Sequence, residues 1–162
     1  MTGYSAPTVP VSPSLDEPHY RIGPVGAVSR FFRKYSTFTG RAGRAEYWWA
    51  SLFIGIVYLV LGGLGLAAGL ATGQERYDGT VEPGIGLLPF AILLMVFALG
   101  CIVPGIALVV RRLHDANFSG LLYLINFVPY IGGLALCVFA LLPPNPLGAR
   151  YDLRQPAAYP AS

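Results

Sequence analysis

Three long runs of the chain contain no Asp, Glu, Lys or Arg: residues 48–71, 85–110 and 118–142, of 24, 26 and 25 residues. Each is continuously apolar and not alternating, so each reads as a helix and not as a barrel strand. A bilayer core of about 30 Å takes about 20 helical residues to cross. The pattern therefore predicts an all-α integral membrane protein with three transmembrane helices. The alternative, three buried helices of a soluble domain, leaves too little polar surface in a chain of 162 residues to cover them.

Inside the runs, three features bear on packing. The first run opens on Trp48 and Trp49 directly after Tyr47, an aromatic cluster suited to the headgroup level. It also carries Gly55, Gly62 and Gly69 at seven-residue spacing, and Gly65 with Gly69 as a GxxxG pair. Such glycines let a second helix approach closely, within the monomer in the first instance and in a dimer in the second. Prolines punctuate the other two runs. Pro89 sits near a helix start, whereas Pro104 removes a bond to the Gly100 carbonyl and predicts a kink. Pro129, followed by Gly132 and Gly133, breaks the ladder near the middle of the third run, beside Asn126. A packed kink is the first expectation there and a re-entrant segment the alternative.

Composition agrees with this picture: 54% of the residues are hydrophobic and 12% charged, against about 25% charged in soluble domains. Only two cysteines are present, Cys101 and Cys137, both inside apolar runs, which excludes a disulfide scaffold. Charge then orients the chain. Arg21, Arg30, Arg33, Lys34, Arg41 and Arg44 precede the first run against Asp16, Glu17 and Glu46. The first connection holds Arg76 against Glu75, Asp78 and Glu82, and the second holds Arg111 and Arg112 against Asp115. The positive-inside rule places the N-terminus and the second connection in the cytoplasm. Three crossings then put the C-terminus outside.

The flanks divide the chain further. Residues 1–29, with five prolines, read as a disordered cytoplasmic tail, and residues 153–162 as a flexible one. Residues 30–36, Arg-Phe-Phe-Arg-Lys-Tyr-Ser, mix cations with aromatics and predict a short interfacial helix before the first span. The membrane domain thus covers residues 30–152.

Two polar motifs meet at the cytoplasmic side of this topology. One is Phe38-Thr39-Gly40-Arg41-Ala42-Gly43-Arg44-Ala45-Glu46-Tyr47-Trp48, the other Arg111-Arg112-Leu113-His114-Asp115-Ala116-Asn117-Phe118-Ser119-Gly120. Thr39 is a candidate N-cap that would place Arg41 and Arg44 on one helix face. Arg111 and Asp115, four apart, are candidates to pair; Asn117 is suited to a turn and Ser119 to a cap. Four arginines against Glu46 and Asp115 leave positive charge after pairing. Arg41, Arg44, Arg111 and Arg112 are therefore candidate ligands for an anionic lipid phosphate or a membrane partner. A mutual salt-bridge network is the structural reading of the same residues, with Glu46, His114 and Asp115 as its other members. His114 titrates in the range of a switch, but with His19 as the second histidine the set holds no metal site and no cofactor motif. The same side chains compose no recognisable catalytic constellation and no nucleic-acid motif.

These two motifs resemble the signature of the DUF805 family, small bacterial inner-membrane proteins. The F-x-G-R-x-x-R-x-E-Y-W pattern matches residues 38–48, and R-R-L-H-D followed by S-G matches residues 111–120. Pro129 with Gly132, and an N-x-x-G element from Asn145 to Gly148, follow in the same order. Leu121 and Leu122 stand where the family often has tryptophans. The resemblance implies a plasma-membrane protein of bacterial type and implies no reaction. The expectation is a non-enzymatic membrane module, alone or as a homo-oligomer, whose cluster stabilises the bundle and engages anionic lipid or a membrane partner. A component of a small-solute or ion transporter or channel is the alternative, and a lipid-headgroup enzyme using His114 and Asp115 the third reading.

Overall fold

The computed structural model describes residues 18–152. Helix α1 runs Pro24–Arg33, α2 Arg44–Ala71, α3 Leu87–Asp115 and α4 Ile131–Leu141. A two-residue hairpin, β1 (Gln74–Glu75) and β2 (Val81–Glu82), joins α2 to α3, and 3-10 turns cover Gly120–Phe127 and Pro146–Tyr151. At 28 and 29 residues, α2 and α3 are each about 42–44 Å long and exceed a bilayer core. Only 11% and 22% of their most apolar windows are buried. Core helices of a soluble protein bury most of theirs, whereas most of this apolar surface is left uncovered, as in a helix long and apolar enough to cross a bilayer.

The two long helices pack antiparallel through small residues. A Cβ built on Gly65 would stand 2.8 Å from Phe90 Cβ, and one on Gly69 3.2 Å from Leu87 Cβ. Gly55 and Gly62 have nothing within 4 Å. The GxxxG pair therefore serves the intramolecular contact, while the seven-residue glycine series does not form one working face. Beyond it, Thr72 accepts the Gly86 N–H at 2.9 Å and fixes the connection. Helix α3 passes through Pro104 without interruption.

Helix α1 is a surface helix of a different kind. Pro24 at its first turn supplies a helical φ where no amide partner is needed. Ala27, Arg30, Phe31 and Lys34 form one buried stripe at helical spacing. Phe31 joins Ala42, Ala50, Cys101 and Leu108 in the core. The helix begins six residues before the expected domain start at residue 30 and includes residues assigned to a disordered tail; residues 1–17 of that tail lie outside the described residues, as do residues 153–162.

The third apolar run does not form the expected third spanning helix. The 3-10 turn Gly120–Phe127 and α4 are separated by Val128–Tyr130, where the chain reverses. Pro129 forces Val128 into extended backbone, and Tyr130 takes φ +65°. Gly132 permits the return: a Cβ there would run into the Ile125 carbonyl and the Asn126 backbone. Both ends of the run lie together, with the Phe118 and Phe139 rings 4.9 Å apart. The legs, about 16 Å each, reach about half the depth of a bilayer core. What composition presented as one crossing is thus a broken hairpin entering and leaving at one end of the α2–α3 pair. The C-terminal segment returns to that same end, since the Asn145 N–H donates to the Asp115 carbonyl at 2.8 Å. The last described residues thus lie at the same end of the α2–α3 pair as the second connection.

A Gly65→Leu variant is expected to lower stability by about 1–3 kcal/mol through overpacking against Phe90. Gly62→Leu, which meets nothing, should leave the thermal midpoint of the nanodisc-embedded protein near that of the parent.

Candidate functional site

The polar end is built around Glu46, in the first turn of α2 and fully buried. Its Oε1 accepts from Arg111 Nη1 of α3 at 2.9 Å, and its Oε2 accepts from Arg30 Nε of α1 at 3.3 Å. One carboxylate thus joins three helices. Arg111 also donates through Nε to the Ala107 carbonyl at 3.3 Å, while its Nη2 is buried without a hydrogen-bond partner.

Asp115 is the second hub. Its Oδ2 accepts from Arg112 Nη1 at 2.6 Å and its Oδ1 from the Tyr20 hydroxyl at 2.9 Å. Arg112 turns its remaining donors on the hairpin: Nε and Nη2 reach the Ala140 carbonyl at 3.2 and 3.1 Å, and Nη2 also donates to the Leu142 carbonyl. Helix α4 ends there in carbonyls with no helical amide to follow. A guanidinium placed at a helix C-terminus satisfies those groups and complements the dipole.

The expected i,i+4 pair of Arg111 with Asp115 does not form. Arg112 takes Asp115 at i+3, which leaves Arg111 for Glu46. Thr39 is not the N-cap either. Helix α2 starts at Arg44 with Gly43 before it, so Arg41 lies ahead of the helix and not on a face shared with Arg44. Arg41 instead forms a two-pronged pair with Asp152, Nε to Oδ1 at 2.9 Å and Nη2 to Oδ2 at 2.6 Å. Arg44 is exposed.

His114 packs between the first motif and the tail. Its Nδ1 is 3.2 Å from the Gly40 carbonyl, and its ring stacks on Tyr151 at 3.9 Å and 3°. Gly40 has φ +81° and donates its N–H to the Tyr151 carbonyl at 2.8 Å. The glycine of the first motif is needed for that left-handed turn. Gly148 lies so close to the His114 carbonyl that a Cβ would collide. Asn145 caps this last turn by accepting the Leu147 N–H at 3.0 Å, and Ser119 caps the first leg of the hairpin by accepting from Leu121 N at 3.3 Å. Asn117 makes the turn between them at φ +65°.

The two sequence motifs do meet, as expected. Tyr20, Arg30, Tyr151 and Asp152 complete the site and were not singled out for it by sequence. Arg30 stood in the expected interfacial segment; the N-x-x-G element pointed at the right stretch of tail, whereas Tyr20 carries no local signal. Among the described residues no group of three or more His, Cys, Asp or Glu is placed to hold a metal ion.

Two consequences are measurable. Removing one partner of a buried ion pair leaves an uncompensated charge and costs about 3–5 kcal/mol. Glu46→Ala is therefore expected to be among the most destabilising single changes in the chain, with Glu46→Ala/Arg111→Met losing less than the sum of its two single variants in denaturation. Burial and the neighbouring Asp115 carboxylate push the Tyr20 phenol up to about 12. The folded state thus favours the neutral phenol, and this contribution is complete below the unfolded value near 10 and lost as pH rises toward 12. Tyr20→Phe should flatten the stability profile across that alkaline window in pH-dependent melting.

Residues 35–153 match the family described as "Protein of unknown function (DUF805)". Inner membrane protein YhaI of Escherichia coli (strain K12) is 37% identical over 107 residues, covering 66% of this chain and 75% of that protein. Inner membrane protein YhaH of the same strain is 32% identical over 110 residues, covering 68% and 79%. No solved structure matches.

Proposed function

We propose, from the premise that this chain belongs to the DUF805 family and is homologous to inner membrane proteins, that it is a non-enzymatic membrane module. Its buried arginine cluster locks a two-span bundle and a re-entrant hairpin together, and its exposed cations bind anionic phospholipid. The observation that carries this reading is the division of labour among the arginines. Arg111 and Arg112, 0% and 1% exposed, are consumed by carboxylates and carbonyls of the fold. Arg21, Arg33 and Arg44 at the same end are exposed and have no ion-pair partner among the described residues.

The geometry supports a structural role for the site's most reactive-looking pair. His114 and Asp115 do not bond each other: the ring is held by Gly40 and Tyr151, and both carboxylate oxygens by Tyr20 and Arg112. Charge supports the orientation. In residues 18–152 the cluster end carries nine Arg and Lys against three acids, and the β-hairpin end one arginine against three acids. The positive-inside rule puts the cluster in the cytoplasm, and with two crossings the last described residues share that side. Amphipathic α1 then lies at the headgroup level, its exposed Val25 and Phe32 toward the acyl region.

The test is lipid retention by native mass spectrometry from nanodiscs of mixed phosphatidylglycerol and phosphatidylethanolamine. Enrichment of phosphatidylglycerol is expected in the parent, with at least a fivefold loss in an Arg21→Gln/Arg33→Gln/Arg44→Gln variant whose melting is unchanged. No enrichment in the parent, or equal enrichment in the triple variant, overturns the reading.

A further inference from the structure

A second concave site lies on the bundle away from the arginines. It is a cavity of about 400 Å³ between α2, α3 and the hairpin. Its wall is apolar except for Tyr47, Ser51, Tyr58, Cys101, Tyr123 and Asn126. No Asp, Glu, Lys, Arg or His lines it. Tyr58 is 12 residues along α2 from Glu46, about 18 Å toward the opposite end, which places the inner part of the cavity near mid-depth of a bilayer. Tyr58 and Ile102 remain exposed at 41% and 51%, so the cavity opens sideways, toward hydrocarbon.

The polar groups there are not explained by the fold. The Ser51 hydroxyl bonds the Tyr47 phenol, but the side chains of Tyr58, Tyr123 and Asn126 have no hydrogen bond among the described residues. In hydrocarbon an unsatisfied amide or hydroxyl is costly, and polar side chains at such depth face a partner. Tyr123 and Asn126, both on the first leg of the hairpin, line the cavity beside α2 and α3, Tyr123 half-buried and Asn126 on its exposed side.

The chemistry of the wall selects the occupant. Without a cation, it does not compensate a phosphate; without an acid, it does not hold an amine. Phenol donors call for carbonyl or ether acceptors, and the Asn126 amide offers one donor group and one acceptor. Tyr58, whose ring lies 5.7 Å from that of Phe97, presents an aromatic edge suited to a flat ring. A volume of about 400 Å³ is in the range of small-molecule sites, roughly 300–1,000 Å³. Access is through the lipid. We propose that this cavity binds the head ring of a neutral, membrane-soluble quinone, with Tyr58, Tyr123 and Asn126 as its hydrogen-bonding residues. The site is independent of the anionic-lipid reading, since it shares no residue with the cations assigned there.

The test uses the full chain in phosphatidylcholine nanodiscs, titrated with a benzoquinone that bears a single isoprene unit. Quenching of the intrinsic Tyr and Trp emission and the shift in thermal midpoint are read together. Saturable quenching with stabilisation is expected in the parent, and at least tenfold weaker binding in Tyr58→Phe/Tyr123→Phe. That pair removes two oxygens and keeps both rings, so its fold is secured by an unchanged midpoint without quinone. Asn126→Leu gives the same loss. Quenching that rises without saturation in the parent is partitioning alone and overturns the proposal. So does saturable binding that is equal in all variants, or that a saturated fatty alcohol displaces as well as a second quinone does.

Discussion

Glu46 sits where three helices must agree. A carboxylate taken fully out of water is tolerated only when cations and donors meet it in place, and here the cations come from α1 and α3 while the acid comes from α2. Within a bilayer the hydrophobic effect does little to press helices together, because lipid is as apolar as leucine. The bundle therefore relies on close glycine contacts along its length and on this charged knot at its end. Asp115 extends the knot, because Arg112 passes from that carboxylate to the last carbonyls of α4. The hairpin is in this way tied to the same ionic layer that aligns the long helices.

That layer is legible in outline in the amino-acid sequence. The two motifs around Glu46 and Arg111 announced themselves as polar islands in an apolar chain, and they do converge. Who pairs with whom was not legible. Arg111 and Asp115 satisfy the helical spacing rule, yet the chain pairs Arg112 with Asp115, because α3 turns Arg111 toward Glu46 of α2. Sequence spacing ranks neighbours within a helix and is blind to a better acid on the next one. Asp152 and Tyr20 lie 111 and 95 residues from their partners Arg41 and Asp115, beyond any local rule.

The long helices were read correctly from length and apolarity; the third run was not. Its 25 residues suffice for a crossing, and length was the wrong criterion. Pro129 alone would have kinked a helix. Pro129 with a left-handed Tyr130 and a small residue at Gly132 reverses it, and Arg112 and the Asp115 carbonyl hold its far end at Ala140, Leu142 and Asn145. The start of α1 was misjudged for a related reason. A proline-rich stretch reads as disorder by composition, whereas Pro24 stands in the first helical turn, which favours proline.

Two crossings, as proposed for the described residues, bear on how the chain is built into its membrane. In the proposed orientation, the described part that must be carried through the bilayer is the connection of 15 residues between Ala71 and Leu87. It contains four charged side chains, of which Arg76 and Glu82 pair at 2.8 Å. Every other charged group of the described chain stays on the side of synthesis. Insertion thus reduces to driving one helical hairpin across with a small polar cargo, and the remaining apolar segment need only dip in from the side where it was made. In that orientation the charge knot needs α3 to bring Arg111 and Arg112 back to the side of Glu46, so the contacts of Glu46 with Arg111 exist only once both helices are in place.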